Sequence, residues 1–150
     1  MKYTKGKLWV KLTVRGDSLS VIKWWVDVSL ATNNDCRGHN GGMMSLGAGA
    51  ITSGSWKQKI NVRNSTYNKT IGYKDMMWPV LCTLYFIQGK GYTVESNIML
   101  QGNHSTMNLV LNGKISSLKN TKHINVRYLF MKDVINRGEI SVEYCPTDKI

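Results

Sequence analysis

Acidic residues are scarce in this chain of 150 residues, which has 9 Asp and Glu against 20 Lys and Arg and a net charge of +11. A surface of that sign favours polyanions as partners, with nucleic acid before anionic membrane. The basic residues are spread along the whole chain, so a merely solvated surface explains the charge equally well. Charge alone therefore leaves two interpretations open, a polyanion-binding surface and a soluble surface without a partner.

Cysteine and long apolar runs are sparse too. The three cysteines, Cys36, Cys82 and Cys145, are odd in number, widely spaced and without a C-x-x-C pair. That pattern argues against a disulfide framework and a zinc site, and it favours reduced thiols in a cytosolic or nuclear protein. No apolar run approaches membrane-spanning length, and the first one is broken at Lys11, too early for a secretory signal. We therefore expect a cytoplasmic or nuclear protein that is not secreted and has no membrane partner.

Internal repeats and linker-like segments are also missing from the sequence. The content of 42% hydrophobic and 19% charged residues is ordinary for a soluble globular protein and argues against wholesale disorder. A chain of this length is long enough to bury a real core. We therefore expect one domain, spanning residues 1–150.

The first third of the chain alternates apolar and polar residues, as half-buried strands do. One face of the clearest run consists of Ile22, Trp24, Val26 and Val28, and the other of Lys23, Trp25, Asp27 and Ser29. An alternation of Leu8, Val10, Leu12 and Val14 precedes it, and segments 42–51 and 55–62 are further candidate strands. The order predicts an antiparallel meander, in which an ionised Asp27 needs a cationic or hydrogen-bonding partner.

The pattern then changes to helical spacing. Polar residues at 64–66 cap a predicted helix that runs to the glycines at 89 and 91 and that Pro79 should kink. Segment 97–101 predicts a short strand, 104–113 a short helix and 124–138 a further helix, and a last strand is stopped at Pro146. The resulting order, strand-strand-strand-helix-strand-helix-helix-strand, predicts a mixed α/β fold.

Five stretches of the sequence match, in order, the motifs of one known family. They are IKWWVD, HNGGMMSLG, QKINVRNST, DMMWPVLCTLYFIQGKGY and TKHINVRYLFMKDVINRGEISVEYCPT. Each is weak alone, but together they cover nearly the whole chain, which resembles the ribonuclease H domain of the integrase-associated Pol polyprotein of Ty1/copia-type retrotransposons. The resemblance assigns residues 1–20 to the junction with the reverse transcriptase region, and it implies truncation after the last strand.

The resemblance implies a ribonuclease H-like α/β fold with a mixed sheet of about five strands, the first three antiparallel. Helices flank the sheet, the family's final helix is missing, and Asp27 lies at the centre of the sheet. The family hydrolyses the RNA strand of an RNA/DNA hybrid with two divalent ions, magnesium or manganese, held by carboxylates. Magnesium demands oxygen ligands in near-octahedral geometry, so those carboxylates cannot be exchanged freely.

One of the family's four carboxylates is retained, because Asp27 matches the first of them. The second belongs to a motif S-T-E-A-E that reads S-T-Y-N-K here, so Lys69 stands in its place. The third belongs to a motif Q-D-N-Q-S that reads Q-G-N-H-S, so Gly102 stands in its place. The fourth lies in the segment that would follow Ile150. These departures from the family's motifs imply that no metal cofactor is held.

Lys69 opposes metal binding instead of merely failing to support it. An ammonium about 5 Å from a divalent ion is repelled by roughly 6–7 kcal/mol at an effective dielectric of 20. Lys69 is also a cation that can satisfy Asp27, and we hypothesise an ion pair between the two. Other acids give no replacement, because Asp75 turns away along its helix, Glu95 lies at the far end of its strand and Asp35 is in a loop.

The favoured interpretation is a catalytically inactive domain, a pseudoenzyme from a transposable element, that binds hybrid or duplex nucleic acid weakly and non-specifically. The candidate contacts are basic residues, namely Lys57, Lys59, Lys119, Lys122 and Arg127. Two alternatives stay open. One is an active ribonuclease H whose magnesium or manganese is held by unrecognised acids, and the other is a non-enzymatic interaction or structural module on the same fold. We interpret His104 and His123 as surface or hydrogen-bonded residues.

Overall fold

The structure is a computed structural model that describes residues 9, 11, 13–61, 65–112 and 122–146, with the backbone alone at 66, 109, 112 and 122–128. The strands are β1 (Arg15–Gly16), β2 (Val21–Ser29), β3 (His39–Ser45), β4 (Gly47–Ala48), β5 (Thr52–Lys57), β6 (Ser96–Gln101) and β7 (Ser141–Tyr144). The helices are α1 (Ser65–Gly89), α2 (His104–Asn112) and α3 (Lys122–Asn136). The predicted order of elements from the clearest run of alternation onward is confirmed.

Five of the strands form one mixed sheet in the order β5-β3-β2-β6-β7. The pairs β2/β3 and β3/β5 are antiparallel, whereas β2/β6 and β6/β7 are parallel. Parallel neighbours need a crossover connection, and α1 supplies it between the antiparallel meander and β6. The sheet predicted from the sequence is therefore confirmed, and Asp27 lies on its central strand. Strands β1 and β4 form a separate two-stranded ribbon.

One face of the sheet is packed against the helices. The side chains of Ile22, Trp24, Val26 and Val28 are buried in a single core with residues of all three helices. The polar group of Trp24 is also satisfied, because its Nε1 donates a hydrogen bond to the buried Asn97 Oδ1 at 3.2 Å. This hydrogen bond joins β2 to β6 through side chains, in addition to the backbone pairing of the two strands.

The opposite face of the sheet is open. On β2, Lys23, Asp27 and Ser29 are exposed and Trp25 is half-buried. The neighbouring strands add Met43 and Leu100, both half-buried, at the positions paired with Trp25. The alternation in the sequence thus separates a core face from a face that is half apolar and half polar.

Two candidate strands are shifted from their predicted bounds. Segment 42–51 is divided into β3 and β4 by a turn in which Ser45 Oγ donates to the carbonyl oxygens of Gly47, at 2.9 Å, and Gly49, at 2.7 Å. Gly49 has a φ of 79°, which favours glycine. Strand β5 ends at Lys57 because the side chain of Gln58 is buried and its backbone N–H donates to Gly38 O at 2.9 Å.

The N-terminal alternation lies mostly outside the described residues, since Leu8, Val10 and Leu12 are not among them. The long predicted helix is confirmed as α1, which includes Pro79 and ends near the glycine at 91, whose φ is 86°. In the part of the chain that the structure describes, no helix combines the length and the apolar character that crossing a membrane requires.

Candidate functional site

Asp27 lies on β2 with its side chain exposed on the open face of the sheet. It is paired across the ladder with Gly41 on β3. Its Oδ1 accepts a hydrogen bond from the amide of Val28 at 2.8 Å. Because Asp27 is exposed and accepts this hydrogen bond, its ionised carboxylate does not pay the desolvation cost expected for a buried charge in a strand.

Lys69 does not neutralise Asp27. Among the ion pairs of the described residues none joins the two side chains, so the pairing hypothesis is wrong. The physical reason is that Asp27 is already exposed to water on the open face, while α1, which carries Lys69, packs on the core face of β2. Next to Lys69, Asn68 fastens the start of the helix to β2, because its Nδ2 donates to Ser29 O at 2.9 Å.

Gly102 follows β6 directly and has no side chain to offer a metal. The next residue, Asn103, has a structural role as the cap of α2, since its Oδ1 accepts hydrogen bonds from the amide of Thr106 at 2.9 Å and from its hydroxyl at 3.2 Å. The ring of His104 stacks on Tyr144 with centroids 3.8 Å apart. His104 is also exposed, which agrees with its interpretation as a surface residue.

Two of the other acids considered as replacements lie elsewhere in the fold. Asp75 accepts a hydrogen bond from Asn40 Nδ2 at 3.2 Å, at a position of β3 that belongs to the core face. Glu95 immediately precedes β6, whereas the family position at Gly102 follows its other end. The predictions that Asp75 and Glu95 lie away from Asp27 agree with this placement.

The residues do not fit the pair of divalent ions that the resemblance implies. Such ions need several oxygen ligands converging on one point. Within the described ranges there is no cluster of three or more His, Cys, Asp or Glu side chains that could hold a metal ion. Asp27 belongs to no such cluster among the described residues, and a lysine and a glycine occupy the other two positions that the resemblance aligns with metal ligands.

Asp35 forms a small cluster of charges with two cations beside the open face. Its Oδ2 accepts from Lys57 Nζ at 2.7 Å and from Arg37 Nε at 3.3 Å. The Lys57 hydrogen bond, followed by the backbone bond from Arg37, lowers the pKa of the Asp35 carboxyl below its usual value. Lys57 ends β5 and is paired with His39, which in turn is paired with Ser29 of β2. The cluster therefore borders the same face of the sheet as Asp27.

The structure describes the side chains of only some of the basic residues predicted to bind nucleic acid. Lys57 and Lys59 are exposed and close together in sequence at the end of β5. Lys119 lies outside the described residues, and for Lys122 and Arg127 only the backbone, in α3, is described. Arg37 was missed by the sequence interpretation, because its proximity to Lys57 depends on the loop in which Cys36 adopts a φ of 58°.

The open face also has a slot that the sequence interpretation missed. It is a shallow depression of about 210 Å³, open to solvent and lined by Trp25, Asp27, Gly41, Gly42 and Met43. Its lining is almost wholly apolar. Its only signal in the sequence is the glycine pair, and the cross-strand register is needed to place that pair beside Trp25 and Asp27.

No protein-family model matches the sequence, and no curated protein does. Solved structures do. LC11-RNase H1, isolated from compost by a metagenomic approach, has a TM-score of 0.60 at 8% identity, over 87% of this chain and 88% of that one. The same enzyme in complex with an RNA/DNA hybrid gives 0.58 at 11% identity, over 85% and 87%. The protease-reverse transcriptase of prototype foamy virus gives 0.52 at 9% identity, over 91% of this chain and 19% of that one. At such identities the likeness concerns the fold, and this chain has a ribonuclease H-like fold.

Proposed function

We propose that this chain is a catalytically inactive ribonuclease H-like domain from the Pol polyprotein of a Ty1/copia-type retrotransposon, and that it binds nucleic acid weakly through its basic surface. The observation that carries the proposal is the composition of the site. Three family carboxylate positions fall within the chain, and they hold Asp27, Lys69 and Gly102. A single exposed carboxylate does not assemble a two-metal centre.

Nucleic acid is the partner that the charge and the fold support best. The net charge of +11 attracts a polyanion, and Lys57 and Lys59 are exposed beside the open face. A ribonuclease H1 of the same fold has been solved in complex with an RNA/DNA hybrid. Contacts from separate lysines to phosphates fix position without reading sequence, so the binding to duplex and hybrid is non-specific.

The test combines two measurements on the same protein. Cleavage of a labelled RNA/DNA hybrid is measured with magnesium and with manganese, and binding of the same hybrid is measured by fluorescence anisotropy. The proposal expects binding without cleavage. Cleavage that depends on Asp27 would overturn the inactive assignment, and the absence of any binding would overturn the nucleic-acid assignment.

Replacing Asp35 with asparagine is expected to strengthen binding. The carboxylate neutralises Lys57 and Arg37, and Asp35→Asn removes the charge while keeping the size and an acceptor oxygen for the Arg37 amide. Lys57 and Arg37 then no longer exchange a carboxylate for a phosphate on binding, so affinity at low salt should rise by roughly two- to tenfold.

Asp17→Asn is the matched control. It also removes one exposed carboxylate paired with an arginine, because Asp17 binds Arg15 Nε at 3.0 Å beside the β1/β4 ribbon. Anisotropy titrations of both variants against the same hybrid separate a local effect from one of net charge. An equal gain in the two variants, or no gain in Asp35→Asn, would contradict a role for the cluster.

A further inference from the structure

The slot on the open face is large enough to take a small ligand group. Its volume of about 210 Å³ equals the share of roughly seven water molecules in the liquid. Half-buried Trp25 and Met43 are paired with each other across β2 and β3, and Gly41 and Gly42 leave bare backbone beside them. An indole and a thioether beside a bare stretch of strand suit a planar aromatic ring, since such rings stack on aromatic side chains and contact sulfur favourably.

The glycine at 41 keeps the slot open but is not needed for packing. A Cβ added there would meet only Asp27 O, at 3.7 Å, which is an ordinary contact. The glycine at 42 is different, because its Cβ would point to the core face and meet the end of Met76 at 2.5 Å. A larger side chain at 41 therefore fits the fold and fills the slot.

Asp27 gives the slot one polar group. Its Oδ1 is bonded to the Val28 amide, and no described residue donates to its second oxygen. A carboxylate is the usual acceptor for the N4 amino group of cytosine. Thymine and uracil carry the O4 acceptor at the corresponding position, so the same carboxylate repels them.

Positive charge borders the slot on two sides. Lys23 is exposed on the same face two residues before Trp25, and no ion pair of the described residues engages it. Lys57, whose ammonium also binds Asp35 at 2.7 Å, lies across the face at the end of β5. Cations at both ends with an aromatic side chain between them form the pattern that binds single strands, by phosphate contacts and base stacking together.

We propose that the slot formed by Trp25, Asp27, Gly41, Gly42 and Met43 binds one unpaired base of a single-stranded nucleic acid, with cytosine preferred over thymine or uracil. The base stacks against Trp25, and its amino group donates to Asp27. A paired base is excluded, because inside a duplex it is stacked on both sides and cannot stack on Trp25. The inference rests on the proposed function and adds one base contact to the non-specific phosphate contacts.

The experiment measures anisotropy of fluorescein-labelled oligo(dC), oligo(dT) and a mixed-sequence duplex with the full chain at neutral pH and low salt. The expected result is binding of oligo(dC) about fivefold tighter than oligo(dT). Gly41→Val should weaken oligo(dC) binding about fivefold or more, remove the difference from oligo(dT) and leave duplex binding unchanged. Gly16→Val is the matched control, because a Cβ at that exposed position meets nothing within 4 Å.

Asp27→Asn is the second variant, and it changes an exposed side chain without filling the slot. Its amide can donate to O4, so the preference for cytosine should disappear or reverse. Equal binding of oligo(dC) and oligo(dT) by the unmodified chain would overturn the proposal that the slot binds a base. That result is expected if an apolar protein segment occupies the slot instead. Equal weakening of all three probes by Gly41→Val would overturn the proposal as well. In both cases retained duplex binding leaves the proposed function standing, whereas no binding of any probe removes both.

Discussion

The unmodified chain is expected to leave the RNA strand of an RNA/DNA hybrid intact with either magnesium or manganese. A divalent ion beside Asp27 gains one carboxylate where the family uses several. Lys69 and Gly102, at the other two positions that the resemblance aligns with metal ligands, supply no carboxylate to such an ion. The measurement is gel analysis of a labelled hybrid with protein in excess over substrate.

Traces of a cellular ribonuclease H in the preparation would mimic activity of this chain. The control must therefore be a variant of the same protein that is purified in the same way. Asp27→Asn, prepared in parallel, removes the one carboxylate that the resemblance aligns with a metal ligand and leaves any contaminant unchanged. Cleavage that is abolished by this substitution would refute the prediction. Cleavage of equal rate in both preparations belongs to a contaminant.

Restoring the second and third family positions tests the same argument from the other direction. Lys69→Glu with Gly102→Asp returns two carboxylates and removes one cation, and weak hydrolysis at best is expected. The reason is that the described residues contain no cluster of metal-binding side chains that would complete the site. Lys69→Gln with Gly102→Ala is the matched control, because it removes the lysine without supplying a carboxylate. Strong hydrolysis by the restored variant would show that Asp27 and the two new acids suffice.

The strands and helices that build the sheet could be predicted from the sequence, because each is marked by the pattern of residues within its own segment. Alternation from Ile22 to Ser29 marks a strand with one buried face, and the helical spacing after Ser65 marks the crossover that parallel neighbours require. The central place of β2 followed from the resemblance. Bounds were less accurate where single side chains decide them, as Ser45 does at the turn after β3 and Gln58 does at the end of β5.

The site could be predicted only in part, because its contacts depend on register and on loop conformation. Lys69 and Asp27 share a family site in the resemblance, yet the exposed carboxylate is satisfied by its own neighbour's amide. Asp35 and Lys57 are 22 positions apart and meet through a loop that periodicity does not describe. The slot exists because Gly41 is the residue paired with Asp27, and a register shifted by one would place a different side chain there.

Affinity for nucleic acid is expected to fall by about two decades or more between 50 and 200 mM salt. Each phosphate neutralised by a lysine or arginine releases counterions, which gives a slope of about −0.9 per phosphate in a log–log plot on duplex. Three to five engaged cations produce the expected fall. Anisotropy titrations of hybrid and duplex across this salt range measure the slope, with heparin as a competitor that lacks bases.

Reversing Lys57, Lys59 and Lys122 to glutamate should flatten that slope, because these residues are the proposed phosphate contacts. The matched control reverses Lys74, Lys90 and Lys132 instead, which changes the net charge of +11 by the same amount. Lys74 and Lys90 lie on or just after α1, which packs on the core face of the sheet and not on the open face beside Lys57. A phosphate-binding surface predicts a large loss of slope in the first triple variant and a small one in the second. Equal losses would show that net charge alone attracts nucleic acid, and an affinity insensitive to salt would show that the basic residues only solvate the surface.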